Sequence, residues 1–213
     1  MKKVKSNPGK AGKSNKSGEK TFDRSKTLNQ LRIIGGQWRG RKLNFADGEG
    51  LRPTMDRVRE TLFNWLQGEI AGARCLDLFS GSGALGLEAL SRHAREVVMI
   101  DKNPRAIRMI QNNLDLLEVS NARLLQMDAR DFLIEGTTEG TFDLVFLDPP
   151  FNRQLVAPFC RLLNDANCLS AQASIYIEME KNAGLPQLPQ DWEVIKEKKA
   201  GQLAYYLVQC SIE

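Results

Sequence analysis

Asp148-Pro149-Pro150-Phe151 closes the apolar run Leu144-Val145-Phe146-Leu147, an ending that an ordinary strand has no use for. A buried strand gains nothing from a carboxylate followed by two residues that cannot donate a ladder hydrogen bond. The set does suit the amino group of a nucleobase. The lone pair of such an amine is delocalised into the ring, so it attacks poorly unless it is held in line. Asp148 and a proline carbonyl, that of Pro149 first, can accept both of its N–H bonds. Pro149 and Pro150 fix the backbone so that the carbonyls face a pocket. Phe151 offers a stacking surface worth about 1–3 kcal/mol. Orientation of this kind removes much of a barrier without a metal or a covalent intermediate. An adenine amine of DNA or RNA and a glutamine side-chain amide would fit as well. A plain Asp-Pro-Pro turn is the structural alternative.

A second constellation supplies something to transfer. Gly81-Ser82-Gly83-Ala84-Leu85-Gly86 is a G-x-G-x-x-G between the strand-like CLDLF and a helical run. Its glycines permit a tight turn and close approach of a ligand to the backbone. Asp101 closes the next strand-like run, VVMID, where it can accept hydrogen bonds from ribose hydroxyls. NAD is the obvious ligand, but Asp77, just upstream of the loop, suits an ammonium better than a pyrophosphate. S-adenosylmethionine has an ammonium, a ribose and an adenine, and no phosphate. Asp77 with the Gly81, Ser82 and Gly83 amides would meet its amino-acid end, and Asp101 its ribose. Asp128 of QMDA would take the adenine amine, unless it is only a helix cap before Ala129. Phe79, Lys102 and Ala129 adjoin these positions and complete the expected cofactor set.

These residues need a scaffold that brings strand ends together. From residue 74 onward strand-like and helical runs alternate: CLDLF then 84–92, VVMID then 104–117, ARLLQMD then 129–133, FDLVFLD then 154–163, and SIYIEME. Such alternation implies an α/β fold with a parallel sheet covered on both faces. WEVIKEKK and LAYYLVQ, joined by a Gly-containing turn, predict an antiparallel hairpin at one edge of that sheet. Upstream, RIIGGQWRGRKLNF predicts a small hairpin, with strands over 31–34 and 39–45 around Gly35-Gly36. It presents Arg32, Trp38, Arg39, Arg41 and Lys42, a basic set with an aromatic that suits nucleic acid; a capping hairpin with a solvated face is the alternative. Val58, Leu62, Phe63, Leu66 and Ile70 then recur at helical spacing, predicting about four turns capped by Thr54. Arg52, Thr54 and Arg57 crowd its N-terminal end, which attracts anions.

Composition narrows the class. The chain has 213 residues and a net charge of +4. Residues 1–28 hold nine Lys and Arg against Glu19 and Asp23, so the rest is net negative. That leader, rich in Lys, Gly, Ser and Asn, reads as a disordered basic tail. No apolar run approaches the roughly 20 residues of a membrane span, and the N-terminus has no apolar signal core, so a cytoplasmic protein is expected. Cys75, Cys160, Cys168 and Cys210 form no C-x-x-C pair and His93 is the single histidine, which argues against a metal site.

Together, RIIGGQWRGRKL, GLRPTMDRVRETLFNWL, CLDLFSGSGALGLEAL and FDLVFLDPPF resemble the RsmD family, from residue 31 to the end. The resemblance implies a Rossmann-like methyltransferase fold with a seven-stranded sheet, and S-adenosylmethionine as donor. It implies a guanine exocyclic amine of 16S ribosomal RNA, in a partly assembled small subunit, as acceptor. It also implies a monomer. Family motif positions fall on Asp77, Gly81, Gly83 and Asp101 for the cofactor and on Asp148 to Phe151 for the amine. The expected organisation is a tail over 1–28, a hairpin-and-helix extension over 29–70 and a methyltransferase domain over 71–213. The rival from another class is an RNA-binding assembly factor on a silent methyltransferase fold.

Overall fold

The computed structural model describes residue 1 and residues 29–45, 55–136 and 140–211. The basic leader over 2–28, Arg52 and Thr54 lie outside the described residues. Two short strands open the fold, β1 (Asn29–Arg32) and β2 (Lys42–Phe45), paired antiparallel with Leu31 opposite Leu43. Helix α1 (Asp56–Trp65) follows. The repeating part comprises β3 (Arg74–Asp77), α2 (Ala84–Ser91), β4 (Glu96–Asp101), α3 (Pro104–Leu116), β5 (Ala122–Gln126), α4 (Ala129–Glu135), β6 (Phe142–Leu147) and α5 (Val156–Asp165). It ends with β7 (Leu169–Glu180), β8 (Trp192–Ala200) and β9 (Leu203–Cys210).

Seven strands make one sheet in the order β5-β4-β3-β6-β7-β9-β8. All pairs from β5 to β7 are parallel, and β9 runs antiparallel to both β7 and β8. This is the expected Rossmann-like arrangement with an antiparallel C-terminal hairpin. β3 is an interior strand, between β4 and β6, and all four of its residues are buried. Its neighbours in sequence face opposite ways, as strand geometry requires. Cys75, Met99, Phe146, Tyr176 and Tyr205 pack on one face against α1, α2, α3 and the N-terminal hairpin. Leu76, Val98, Val145, Ile177 and Tyr206 pack on the other against α4 and α5. Among the described residues no helix is long and apolar enough to cross a membrane.

Three local expectations are corrected. The α1 helix stops at Trp65 rather than running on to Ile70, and Leu66–Ile70 form turns, with Gly68 at φ 100°. Its N-cap is Met55, with no side-chain cap bond, not Thr54. The third strand ends at Gln126, short of Asp128.

The N-terminal hairpin departs further. A small antiparallel hairpin is present, but its strands are 29–32 and 42–45 rather than 31–34 and 39–45; between them a broad loop from Ile33 to Arg41 is closed by Ile33 N–H donating to the Arg41 carbonyl at 2.9 Å. Gly35 and Gly36 in that loop allow close contact. A Cβ on Gly36, at φ +73°, would lie 1.8 Å from the Ser91 carbonyl oxygen, and one on Gly35 would overlap the Arg92 guanidinium. The loop is thereby seated on the last turn of α2: Gln37 N–H donates to the Ser91 carbonyl at 2.8 Å, and Ser91 Oγ donates to the Gly35 carbonyl at 2.6 Å. Beneath it Glu88, fully buried, accepts from Ile34 N–H at 2.9 Å and Arg92 Nε at 2.8 Å, and lies 3.6 Å from Arg59 Nη1.

Candidate functional site

Three adjacent parallel strands, β4, β3 and β6, deliver an acid to the same edge. Asp77 is the last residue of β3, Asp101 the last of β4, and Asp148 the first after β6. Because β3 lies between β4 and β6, the glycine loop and the Asp-Pro-Pro-Phe turn occupy neighbouring positions, roughly 5 Å apart per strand.

The loop is held from both sides. Gly81 N–H donates to Asp101 Oδ2 at 2.8 Å, and Asn103 N–H donates to Oδ1 at 2.7 Å. Each carboxylate oxygen keeps a second lone pair that can still accept from a ribose hydroxyl. Gly83, at φ 78° in the left-handed region, begins α2 without a side-chain cap, so amides of the first helical turn remain available to a ligand. Gly86 faces inward. Its N–H donates to Asp77 Oδ2 at 3.1 Å, and a Cβ there would lie 2.5 Å from Met99 Sδ. The third glycine thus lets α2 press onto β3 and β4.

Asp77 is 2% exposed. Burial pushes its carboxyl up to about 7, against the Gly86 hydrogen bond, with Asp101 adding to the rise. Among the described residues no Lys or Arg makes an ion pair with it. A buried carboxylate without a cation is the group an ammonium would satisfy.

Asp128 is the N-cap of α4, its Oδ1 accepting from Arg130 N–H at 2.9 Å. Its other oxygen lies 3.9 Å from Lys102 Nζ, an exposed contact of little energetic weight. The cap is therefore present. Ala129 and Ser82 are buried, and Phe79, half-buried, packs edge-on against Phe159 at 4.9 Å.

In the Asp-Pro-Pro-Phe turn Asp148 is half-buried, Pro149 buried, and Pro150 and Phe151 exposed. The next stretch of chain is held tightly: Asn152 N–H donates to the Glu180 carboxylate, and Asn152 and Gln154 both take positive φ, 59° and 50°. Phe146 and Leu147 pair with Tyr176 and Ile177, which sets Asp148 abreast of Glu178. Tyr176 Oη donates to Glu178 Oε2 at 2.6 Å, both groups buried. Burial raises both groups, and Asp148 and Glu178 add to the rise at Tyr176. This pair backing the site was not singled out from sequence, although Glu178 is a charge inside the apolar SIYIEME.

The basic residues divide. Arg57 is exposed on the first turn of α1. Arg32, Arg39, Arg41 and Lys42 are exposed on the N-terminal hairpin, while Trp38 is half-buried against the core and donates its N–H to Ser91 Oγ at 3.0 Å. The hairpin loop sits at the C-terminal ends of α2 and α3, where Arg41 Nη2 lies 3.5 Å from the Leu116 carbonyl. Those helix ends are at the amino edge of the sheet. A six-residue strand, about 20 Å, separates them from Asp148.

Comparison with known proteins agrees with this architecture. The family model Conserved hypothetical protein 95 matches residues 31–209. Ribosomal RNA small subunit methyltransferase D of Escherichia coli strain K12 is 51% identical over 180 residues, covering 84% of this chain and 90% of its own length. The solved structure of yhhF from Escherichia coli superposes with a TM-score of 0.79 at 47% identity, covering 86% of this chain and 99% of that one. SMU.776, crystallised with SAH, shares the fold at a TM-score of 0.67 and 17% identity, covering 89% of this chain and 57% of that one. With a family model spanning most of its length and a relative of this identity, the chain belongs to the Conserved hypothetical protein 95, or RsmD, family.

Proposed function

We propose that this protein transfers a methyl group from S-adenosylmethionine to the exocyclic N2 amine of a guanine in 16S ribosomal RNA, in the small ribosomal subunit or its precursor. The observation that carries the reading is the meeting, on adjacent strands of one edge, of a buried cation-seeking acid beside a glycine loop and an Asp-Pro-Pro-Phe turn. The name of the half-identical relative supports a ribosomal RNA substrate. A ribosomal substrate would be met in the cytoplasm.

When bound, the cofactor supplies an electrophilic methyl on a sulfonium. Asp77 pairs with its ammonium, the Gly81 to Gly83 segment wraps its amino-acid end, and Asp101 accepts from the ribose. Phe79, Lys102, Asp128 and Ala129 border the adenine. Asp148 and the Pro149 carbonyl accept the two amine N–H bonds, which aims the nitrogen lone pair at the methyl. Pro150 and the exposed face of Phe151 support the base after it leaves its stack, a step costing a few kcal/mol. Arg57, and Arg52 and Thr54 beside it in sequence, contact phosphate near the target. Arg32, Trp38, Arg39, Arg41 and Lys42 belong to a hairpin docked on the far edge, so phosphates they reach lie remote from the target base.

The test is transfer of labelled methyl to duplex DNA, naked 16S RNA and small subunits lacking the modification, followed by digestion to nucleosides. N2-methylguanosine is expected from RNA or subunits and not from DNA. Label in methyladenine, or cofactor binding without turnover on any substrate, would overturn the proposal.

A further inference from the structure

Over β3, β4 and β5 the carboxyl edge carries Asp77, Asp101 and Asp128, the half assigned above to the cofactor, with Lys102, Arg105 and Arg130 exposed around them. Beyond Asp148 the edge continues over β7, β9 and β8, where three exposed basic side chains gather. β8 runs parallel to β7, because each is antiparallel to β9 between them, so the C-terminal ends of β7 and β8 share the edge with Asp148. Lys181 follows β7 directly and is exposed, and its N–H donates to the Gln202 carbonyl in the β8–β9 turn at 2.8 Å. Lys198, near the end of β8, lies opposite Tyr205 and therefore on the α1 face; its Nζ is 3.5 Å from Thr61 Oγ1. Thr61 Oγ1 in turn donates to the Arg57 carbonyl at 3.0 Å, which brings the exposed start of α1 to the same corner.

Arg153 completes the set. It projects from the loop that follows Phe151, between the two positive-φ residues Asn152 and Gln154. Asn152 N–H donates to the Glu180 carboxylate, which ties the start of this loop to the end of β7. Of the acids nearby, Glu197 is paired with Lys199 at 3.0 Å and Asp56 with Arg59 at 2.7 Å, while Glu180 accepts from the Asn152 amide. Asp148, Glu178, buried against Tyr176 Oη, and Glu60, exposed on α1, also stand on this side. Among the described residues Arg153, Lys181 and Lys198 form no ion pair.

We propose that Arg153, Lys181 and Lys198 form a phosphate-binding rim for the RNA strand flanking the target nucleotide, continuing the contact begun by Arg57. The inference rests on the proposed function, since it assigns this half of the edge to the same RNA. All three side chains are exposed, so their replacement leaves the core intact.

The experiment compares the wild type with the triple variant Arg153→Gln/Lys181→Gln/Lys198→Gln and with Lys199→Gln, whose charge is already paired. Affinity for naked 16S RNA and for unmodified small subunits is measured across a salt series with S-adenosylhomocysteine present, and methyl transfer is measured separately. The triple variant should bind both RNAs at least tenfold more weakly. Its dependence of log affinity on log salt should be shallower by about 2, the change expected when three phosphates of a single strand are no longer neutralised. The loss should fall on KM for RNA with cofactor affinity unchanged, and Lys199→Gln should behave as wild type. Unchanged RNA affinity and salt slope in the triple variant would overturn the rim, as would weakening for subunits alone, which would assign the surface to a ribosomal protein. Wild-type binding without methyl transfer would overturn the proposed function and leave the rim standing. A wild type that binds no RNA would overturn both.

Discussion

Asp148 and Asp77 are both carboxylates at strand ends, but their surroundings ask different things of them. Asp148 is half-buried at an open turn. In the role proposed for it, holding the amine in line, Asp148→Asn is expected to cut methyl transfer by about 10²-fold or more while calorimetry finds S-adenosylmethionine affinity within a few-fold of wild type. Equal losses in both would contradict this division. Asp77 has a pH signature. Its carboxyl is raised to about 7 from an ordinary 3.8, so the folded chain holds that proton more tightly than the unfolded one. The stability this provides is complete below about pH 4 and is lost as pH rises through about 7. An ammonium needs the ionised form, so the sign for the cofactor is opposite. Its affinity should fall by up to about tenfold per unit as pH drops below 7, and Asp77→Asn should bind weakly with a flat profile. These residues were legible in the sequence because each combines an unusual type with a strand-end position. Glu178 was equally visible as a charge in an apolar run. Its partner Tyr176 was not, because a hydroxyl two residues away in a strand looks like ordinary packing until the burial of both is known.

Elements that turn on local signals came out close to expectation, and those that turn on tertiary contact did not. Asn103 before Pro104 announces α3, and its side chain does accept from Arg105 N–H, at 2.9 Å. Gly35-Gly36, by contrast, reads as a turn signal in isolation, whereas the structure uses both glycines to seat a broad loop on Ser91 and Arg92. Two substitutions separate these meanings. Gly36→Ala combines left-handed strain with a collision against backbone, and should cost about 3 kcal/mol or more in urea denaturation. Gly40→Ala, at φ +86° with open space around it, should cost only about 1 kcal/mol. If the two are equally mild, the docking of the hairpin on α2 is not what the glycines serve. Glu88→Ala should cost about 3 kcal/mol in the same assay, because it leaves Ile34 N–H and Arg92 Nε without their acceptor and the buried Arg59 with only the exposed Asp56 as counter-ion.

At the scale of the whole molecule, alternation of runs revealed a parallel sheet and which strand ends carry acids. It did not reveal which end of the body the N-terminal hairpin would occupy, since that depends on hydrogen bonds between residues 34 and 88 or 44 and 113. The resulting separation of hairpin loop from transfer edge has a measurable effect. Arg39→Gln/Arg41→Gln is expected to weaken binding of whole small subunits several-fold, yet to leave methylation of a short RNA fragment carrying the target base at the wild-type rate. Reduced turnover on the short fragment would mean that the hairpin reaches the target after all.

The sheet order also bears on how the molecule is assembled in time. β8 is made before β9, yet among the described residues its one sheet neighbour is β9, which inserts between it and β7. Until residues 203–210 are synthesised, β8 has nothing to pair with and the edge strand β7 stands open. The sheet therefore grows out of order, and its last-made strand is an interior one. Deleting β9 would remove two strands from the sheet rather than one, and with β8 would go the lysine it carries to the rim.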